Sequence, residues 1–434
     1  MALAPHPTAP PTSIAEDNSG GQRYLFPFIL VTCVFFLWGM AHNLDSILIP
    51  HLKKACQLNN RQSTLVDTAV FLAYFLMAIP AGMLLKRFGY KNSIIIGLVA
   101  FATGAFLFIP AASALSYGLF LVALFIIGCG LTVLETAANP YAAVLGPPEG
   151  ATSRLNLAAS FHGLAAMVAP VVGTQLILSG KEYSATQLAA MPEATRLAYL
   201  NGEAAAVKLP YIVLGSVLLL VALLFHFAKL PEVRAAQEEP STGGFFSVLR
   251  HRHLSWAVVA QFFYVGAQVC ITSFFIQAAQ QGGGLGEKEA GYYLAVYGML
   301  FMVGRFVGTA LLRYLPSQRL LSIYAVISIG LCALAAFGSG PSVIYALGGL
   351  GFFMSIMFPT IFSLGIAGLG DDTKAGSLWL VMSIVSGAII PRLMGTLIVW
   401  RGDVIQAGYV VPLACFVVVL AFGLYGYRVR GRLA

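Results

Sequence analysis

Twelve apolar stretches, each long enough to cross a bilayer as a helix, limit what this chain can fold into. They lie near residues 24–49, 62–85, 93–113, 117–145, 155–179, 209–229, 255–279, 290–312, 320–338, 341–368, 375–399 and 408–427. Within a bilayer only helices or closed barrels satisfy their backbone hydrogen bonds, and stretches of this length favour helices. We therefore predict an all-α membrane protein with twelve transmembrane helices, called spans 1 to 12.

The composition excludes an ordinary soluble domain. Only 10% of the 434 residues are charged and 59% are hydrophobic, against about 25% charged residues in a typical soluble domain. The formal net charge is +8, but the basic residues lie between apolar stretches, so we expect no binding to nucleic acid. The six cysteines have neither metal-binding nor disulfide spacing, so no metal site is expected.

The basic residues also predict the orientation in the membrane. Of the 25 lysines and arginines, 15 fall in segments that are cytoplasmic if both termini are inside, 8 fall in the outer segments, and two lie within spans. This excess predicts cytoplasmic termini in a plasma membrane, the inner membrane if the cell is bacterial. Residues 1–22 are rich in Pro, Ser and Gly and are predicted to be a disordered cytoplasmic tail. Residues 429–434 form a second short tail.

A polar segment and an internal repeat divide the chain into two halves. The predicted organisation is a six-helix bundle over 23–229, a cytoplasmic linker over 230–254 and a second six-helix bundle over 255–428. A short basic motif between spans 2 and 3 returns in weaker form between spans 8 and 9. It consists of Gly82, Arg87, Gly89 and Lys91 in the first half and of Gly308 and Arg313 in the second. Two parallel six-helix repeats are typical of transporters that alternate access by rocking one half against the other.

Glu135 is an acidic residue inside the apolar stretch of span 4. A charge at mid-bilayer depth costs about 2.5–3.5 kcal/mol on insertion scales, and intramembrane acids are therefore usually functional. Thr132 and Asn139 share its helix face because they lie three residues before it and four after it. We interpret Glu135 as the protonatable centre of a transporter; the alternative is a structural glutamate that is hydrogen-bonded inside the bundle.

Spans 1 and 7 each carry a polar face. Trp38, His42 and Asp45 share one face of span 1, which suits a sugar because an aromatic plate lies beside polar groups. The alternative is an interfacial cluster near the outer headgroups. In span 7, one side of the helix presents donors and acceptors that a polyol could use, and the alternative there is hydrogen bonding between helices. These residues are Gln261, Tyr264, Gln268 and Thr272.

Four further polar residues within spans have open interpretations. His162 could pair with Glu135 or contact a sugar, or it could be satisfied within helix packing. Arg305 and Arg392 are expected to be structural or to snorkel, although Arg392 could also stabilise a carboxylate. Asp67 lies near the outer end of span 2 and is expected to be solvated or to cap a helix.

Several segments together resemble the fucose:proton symporter family of the major facilitator superfamily, over about residues 24 to 400. The Gly82–Lys91 segment resembles the superfamily's loop signature. The family segments are Phe36–Gly39, Ile47–Pro50, Pro80–Gly82, Leu134–Pro140, Val144–Pro147, Arg154–Leu157, Tyr264–Gln268 and Pro359–Ile366. The resemblance implies proton-coupled uptake of a monosaccharide, with one carboxylate in span 1 and one in span 4.

Glu135 stands at the family's span 4 position, but the span 1 carboxylate is displaced. Ser46 occupies the family aspartate position and Asp45 precedes it, and a step of one residue rotates a side chain by about 100° around a helix. We assign proton coupling to Glu135 and to Asp45, which lies on a different face of span 1 from the family aspartate.

The residues around the expected sugar path also depart from the family. His162 replaces an asparagine, Phe358 a tyrosine and Thr272 a tryptophan, so the substrate is expected to be L-fucose or another hexose. The residues assigned to sugar binding are Trp38, His42, Asn43, Asp45, Glu135, Asn139, His162, Gln261, Tyr264 and Gln268.

The predicted mechanism is alternating access without any covalent step. Burial disfavours an ionised carboxyl group and water favours it, so protonation of Glu135 can be linked to which side is open. We expect a monomer in the bilayer with no cofactor besides the coupling proton. The displaced Asp45 leaves a sodium-coupled or uncoupled sugar carrier as an alternative. An integral-membrane enzyme using Glu135 and His162 as acid and base is a second alternative.

Overall fold

The computed structural model describes residues 20–146, 151–181, 183, 185–228 and 246–428, and these form helices joined by short connections. The first half has helices Gly20–Ala55 for span 1, Asn60–Ser63 and Leu65–Ser113 for spans 2 and 3, Tyr117–Val144 for span 4, Ala151–Leu176 for span 5 and Lys208–Phe227 for span 6. The predicted tails, apart from 20–22, and most of the linker lie outside the described residues.

The second half repeats the arrangement with more interruptions. Its helices are Arg252–Ser273 and Phe275–Gln281 for span 7, Glu287–Leu311 for span 8, Ser317–Phe337 for span 9, Pro341–Met354 and Met357–Ile366 for span 10, Thr373–Met382, Ser383–Val385 and Ser386–Trp400 for span 11, and Ile405–Tyr409, Val410–Ala421 and Phe422–Gly426 for span 12. Short helices over Ala185–Ala190 and Glu193–Ala205 precede span 6.

Among the described residues, eleven helical segments are long and apolar enough to span a membrane, and one of them contains two spans. The helix Leu65–Ser113 has 49 residues, so at 1.5 Å per residue it is about twice as long as a bilayer core is thick. Its backbone leaves the helical region at Gly89, where φ is +73° and ψ is 178°. A glycine adopts this conformation without steric cost, so spans 2 and 3 can separate there. Twelve spans in two bundles confirm the predicted fold.

The two bundles meet at one end of the molecule. We call this the closed end; it contains Lys54, Asn60, Gln277, Glu287 and Asp403. Hydrogen bonds and ion pairs between the bundles within the described ranges all lie there or in the adjoining halves of the spans. The opposite end, which we call the open end, contains Arg87, Lys91 and Arg313, and no such bond crosses it in the described part of the chain.

Spans 5 and 8 form the longest line of contact between the bundles. A Cβ atom on Gly180 would lie 3.4 Å from Lys288 at the closed end, and one on Gly163 would lie 3.7 Å from Met302 near the middle. Beyond Met302, Phe306 is 62% exposed. The two helices therefore pack together from the closed end to about the level of Met302.

Candidate functional site

The centre of the first bundle holds an aromatic cluster that includes two predicted site residues of span 1. The indole Nε1 of Trp38 donates a hydrogen bond to the hydroxyl of Tyr74 at 3.1 Å. The Trp38 and His162 rings meet edge-on with centroids 4.6 Å apart, and the His42 and His162 rings lie 6.3 Å apart. Trp38 and His42 therefore face span 5 and span 2 inside the protein.

Gly39 explains why spans 1 and 5 approach so closely at this cluster. A Cβ atom there would lie 2.8 Å from the Cβ of Ala165 and 2.9 Å from the carbonyl oxygen of His162. Only a residue without a side chain fits this contact. The small residue at position 39 thus brings the Trp38 ring against the His162 ring.

Asp45 and Ser46 both lie on partly accessible faces of span 1, whereas the next residue, Ile47, is fully buried. Asp45 is close enough to the Tyr74 hydroxyl and to Asp67 for electrostatic interaction. Within the described ranges no cation lies within 4.0 Å of its carboxylate. Asp45 therefore remains near the centre despite its shifted register. The amide of Asn43 donates to the carbonyl oxygen of Gly39 at 2.7 Å, one turn earlier.

Glu135 lies half-buried in span 4 and its carboxylate forms no hydrogen bond or ion pair with the described residues. Its backbone carbonyl oxygen accepts a hydrogen bond from the Asn139 amide at 3.0 Å. The Thr132 hydroxyl donates to the Gly128 carbonyl at 2.8 Å and is buried. Glu135 is also close enough to the Tyr74 hydroxyl for electrostatic interaction. The carboxyl group is thus available to a proton or a ligand, while Thr132 and Asn139 hydrogen-bond to the helix backbone.

The polar row of span 7 is split between the interior and a partly accessible surface. Gln261 and Tyr264 are fully buried, and the Tyr264 hydroxyl donates to the Met354 carbonyl of span 10 at 2.8 Å. Gln268 and Thr272 are half-buried, and the Thr272 hydroxyl donates to the Gln268 carbonyl at 3.2 Å. In this state Gln261 and Tyr264 contact neighbouring helices, so only the second half of the row can contact a ligand.

Arg305 and Arg392 occupy different surroundings. The Arg305 guanidinium lies over the Phe301 ring, 5.3 Å from its centroid, and is near enough to His162 for electrostatic interaction across the bundles. Arg392 is half-buried in span 11 and pairs with no acid within 4.0 Å in the described part of the chain. Arg305 is therefore the cation nearest the aromatic cluster that these contacts identify.

The basic motif lies at the open end. Lys91 Nζ donates to the carbonyl oxygens of His226 at 3.0 Å and Ala228 at 2.8 Å, which satisfies the last turn of span 6. Arg87 is exposed and its guanidinium lies over the Phe88 ring at 5.3 Å. Gly82 is half-buried. Part of this motif thus closes a helix end.

In the second half, Gly308 is buried against span 10. A Cβ atom there would lie 2.5 Å from the Ile356 side chain. Arg313 is exposed beyond the end of span 8. The Gly308 position therefore sets a close helix contact, and the Arg313 side chain is free to face the surface.

The closed end holds a network of charges that the sequence did not predict. Lys54 Nζ at the end of span 1 lies 2.9 Å from Glu287 Oε1 and 3.2 Å from Glu203 Oε2. Both glutamates are nearly fully buried, and Glu287 also accepts the backbone N–H of Gly180 at 2.9 Å. Because Lys54 and Glu203 belong to the first bundle and Glu287 to the second, this network holds the two bundles together.

The expectation that Asp67 is a solvated or helix-capping acid is wrong. Asp67 is only 4% exposed, and its Oδ2 accepts a hydrogen bond from the Ser273 hydroxyl at 2.8 Å. The helical backbone begins at Asn60 and continues through Thr64 with φ −71° and ψ −7°. Asp67 lies in the first turn of the helix Leu65–Ser113, but the start of this helix has no side-chain capping bond, and the Asp67 carboxylate accepts from Ser273 of span 7 instead.

Tyr74 is a further residue of the central cluster that the prediction missed. Asp67, Phe71 and Tyr74 follow steps of four and three residues, so they share a face of span 2. That spacing, next to the polar faces of spans 1 and 4, was the signal that could have identified Tyr74. Lys54, Glu203 and Glu287 offered no such signal because they are far apart in sequence.

Comparison with known proteins agrees with this architecture. The family model described as the Major Facilitator Superfamily matches residues 28–391. The chain is 41% identical over 420 residues to the L-fucose-proton symporter of Escherichia coli, covering 95% of this chain and 96% of that protein. It is 39% identical over 425 residues to a glucose/galactose transporter of Brucella abortus, covering 97% and 99%.

A solved structure of a similar protein shares the fold. The crystal structure of the transporter FucP in the outward conformation superposes with a TM-score of 0.69 at 41% identity, covering 93% of this chain and 99% of that one. The family resemblance seen in the sequence is confirmed, and these relatives are transporters rather than enzymes. The chain therefore belongs to the Major Facilitator Superfamily and, within it, is related to the fucose:proton symporters.

Proposed function

We propose that this protein imports a monosaccharide, L-fucose or another hexose, by proton symport with alternating access. The main supporting observation is that the Glu135 carboxyl group in span 4 has no hydrogen bond or ion pair with the described residues. It lies beside a central cluster of Trp38, Tyr74 and His162. An aromatic ring beside polar groups suits a sugar, whose C–H face stacks while its hydroxyls form hydrogen bonds. The similarity to an L-fucose-proton symporter and to a glucose/galactose transporter supports the substrate class.

The coupling requires only that the proton and the sugar bind the two conformations with different affinity. Glu135 holds the proton in this proposal, with Asp45 as the second carboxyl near Tyr74. The sugar contacts Trp38 and His162 on one side and Gln268 on the other. The remaining assigned residues, His42, Asn43, Asn139, Gln261 and Tyr264, line or support the same path.

The closed end faces the outside in this proposal, and both termini face the cytoplasm. The protein acts as a monomer in a bacterial inner membrane. The structure then represents the inward-facing member of the cycle, and the outward conformation of FucP represents the other member. The excess of basic residues toward the open end supports this orientation.

The test is sugar-induced proton movement in proteoliposomes that contain no sodium. Addition of L-fucose, D-galactose or D-glucose in turn should raise the external pH with at least one of them, because each sugar enters with a proton. A sodium-coupled or uncoupled carrier would take up the sugar without alkalinisation. Sugar uptake without any pH change in sodium-free buffer would therefore refute proton symport.

A further inference from the structure

Asp67 is a buried acid at the contact between the two bundles. It lies in the closed-end half of span 2 and is 4% exposed. Among the described residues, its carboxylate accepts a hydrogen bond from Ser273, the last residue of the helix Arg252–Ser273 in the second bundle, which is 3% exposed. The hydrogen bond therefore joins span 2 to span 7 across the path that the substrate must take.

The neighbouring contacts show that Asp67 is buried by the closure itself. The Thr68 hydroxyl donates to the Ala388 carbonyl of span 11 at 3.1 Å. A Cβ atom on Gly387 would lie 2.6 Å from the Phe71 ring. Spans 7 and 11 thus cover this face of span 2, and their withdrawal would expose the Asp67 carboxyl to water.

No positive charge of the described residues compensates Asp67 in this position. In the described part of the chain no lysine, arginine or histidine lies within 4.0 Å of its carboxylate. The titratable groups that act on it are Asp45 of span 1, Tyr117 of span 4 and Cys270 of span 7. Each becomes negative when it ionises, and span 11 presents only uncharged groups to this face among these contacts.

The charge state of Asp67 therefore depends on which end is open. A buried carboxylate with one hydroxyl donor and an acidic neighbour is poorly stabilised, while a neutral carboxyl group needs no counter-charge. Closure favours the neutral form. Exposure to water at the outside allows the group to ionise and to exchange its proton with the medium.

A series of acidic groups connects Asp67 to the centre. Asp45 interacts electrostatically with Asp67 and with the Tyr74 hydroxyl, and Tyr74 interacts with Glu135. Asp67 thus stands at the outer end of the same polar face that leads to the proposed proton carrier.

On the basis of the proposed function, we propose that Asp67 is a further proton-binding residue of the transport cycle, besides Glu135 and Asp45. When the closed end opens to the outside, the carboxyl group takes up a proton from the medium. It must carry that proton before spans 2, 7 and 11 can pack together again. External protons thereby promote the packing of spans 2, 7 and 11 at the closed end.

The first test uses sugar exchange in proteoliposomes at equal pH on both sides, in the Glu135→Gln background. That background removes titration of Glu135, and exchange needs no net proton movement. Exchange by E135Q should fall toward alkaline pH by about tenfold per pH unit, because ionised Asp67 resists closure. Exchange by E135Q/D67N should stay constant, because asparagine mimics the neutral carboxyl group and can accept the Ser273 hydrogen bond.

Two matched variants identify the responsible carboxyl. E135Q/E289Q removes an exposed acid near Glu287 and should retain the pH dependence of E135Q. A constant exchange rate in E135Q/D45N, with an unchanged pH dependence in E135Q/D67N, would assign the effect to Asp45 and overturn the proposal. If the proposed function is wrong instead, a different result is expected: E135Q will accumulate sugar under a pH gradient.

The second test measures gate closure directly and does not require active exchange. Thr64 is fully buried against span 11, so T64C reports opening through labelling by a membrane-impermeant maleimide. The protein carries C56S, because burial raises the pKa of the Cys56 thiol and its own reactivity would change with pH. Labelling is divided by that of E289C, an exposed position, to remove the intrinsic pH effect.

The ratio of T64C labelling to E289C labelling should rise toward alkaline pH in the protein that keeps Asp67. It should remain constant in the protein that also carries D67N. An equally steep rise in the T64C/D67N protein would overturn the proposal, even if E135Q/D67N had lost exchange.

Discussion

At the scale of single residues, the central cluster links the proposed sugar site to the acidic groups. Trp38 presents its ring toward His162 and donates its only side-chain hydrogen bond to Tyr74. Tyr74 in turn lies near Asp45 and Glu135. A ligand that moves the indole would therefore also change the surroundings of both proposed proton-binding residues.

Replacing Trp38 should separate stacking from hydrogen bonding. W38A removes the aromatic plate, which contributes about 0.5–1.5 kcal/mol to ring contacts, so the KM for the transported sugar should rise by up to about tenfold. W38F keeps a ring and loses the bond to Tyr74, so its KM should stay within a few-fold of the wild-type value. Initial uptake rates over a range of sugar concentration give both values.

Tyr74→Phe is the matched control because it removes the same hydrogen bond and leaves the indole in place. W38F and Y74F should behave alike. A W38A protein with wild-type KM would contradict the assignment of Trp38 to the sugar site.

The sequence predicted some of these residues and missed others for physical reasons. Glu135 could be identified because a charge in an apolar span is costly wherever the helix packs. Asp67 was misjudged because its burial depends on span 7 and span 11, which are distant in sequence. Gln261 and Tyr264 were grouped with Gln268 by helical spacing, but spacing cannot tell a cavity from a helix contact.

At the scale of helices, the twelve spans could be predicted from the length and hydropathy of the apolar stretches, because the bilayer sets the required values of both. The break between spans 2 and 3 followed from the basic motif and depends on the positive φ of Gly89. The interruptions in spans 7, 10 and 11 did not follow, because a serine at each break, Ser273, Ser355 or Ser383, is not a specific helix-breaking signal within an apolar span. Their backbone breaks depend on packing against other helices.

Close approach of spans 5 and 8 gives a prediction about glycine. A Cβ atom on Gly298 would overlap the carbonyl oxygen of Ala166, so Gly298→Ala should push the bundles apart in the conformation that the structure shows. Overpacking of this kind costs about 1–3 kcal/mol, which corresponds to a shift of roughly 5- to 150-fold in the population of that state. The initial rate of sugar uptake should fall accordingly.

Gly330→Ala in span 9 is the control, because a Cβ atom there meets nothing within 4 Å. It should leave uptake unchanged. Equal uptake by G298A and G330A would show that the contact between spans 5 and 8 does not limit the cycle.

At the scale of the whole molecule, the two ends differ in how the bundles are joined. The closed end combines the ion pairs of Lys54 with Glu287 and Glu203, the Asn60–Asp403 hydrogen bond of 2.7 Å and the Asp67–Ser273 bond. All of them must break for the closed end to open. In the proposed function, the energy for that step comes from differential binding of sugar and proton in the two states.

Glu135 is the central residue of the proposed coupling because its carboxyl group has no counter-charge within the described part of the chain and lies near Tyr74 of the central cluster. If it carries the proton, removing its charge must uncouple sugar movement from the pH gradient while leaving the sugar path in place. Exchange would then continue without accumulation.

The most direct measurement is sugar accumulation by Glu135→Gln in proteoliposomes with an inside-alkaline pH gradient. Wild-type protein and the exposed-acid control E289Q should concentrate the sugar above its external level. The E135Q protein should bring the sugar only to equilibrium across the membrane and still exchange it. Accumulation by E135Q to the wild-type level would contradict the assignment of Glu135 as the proton carrier.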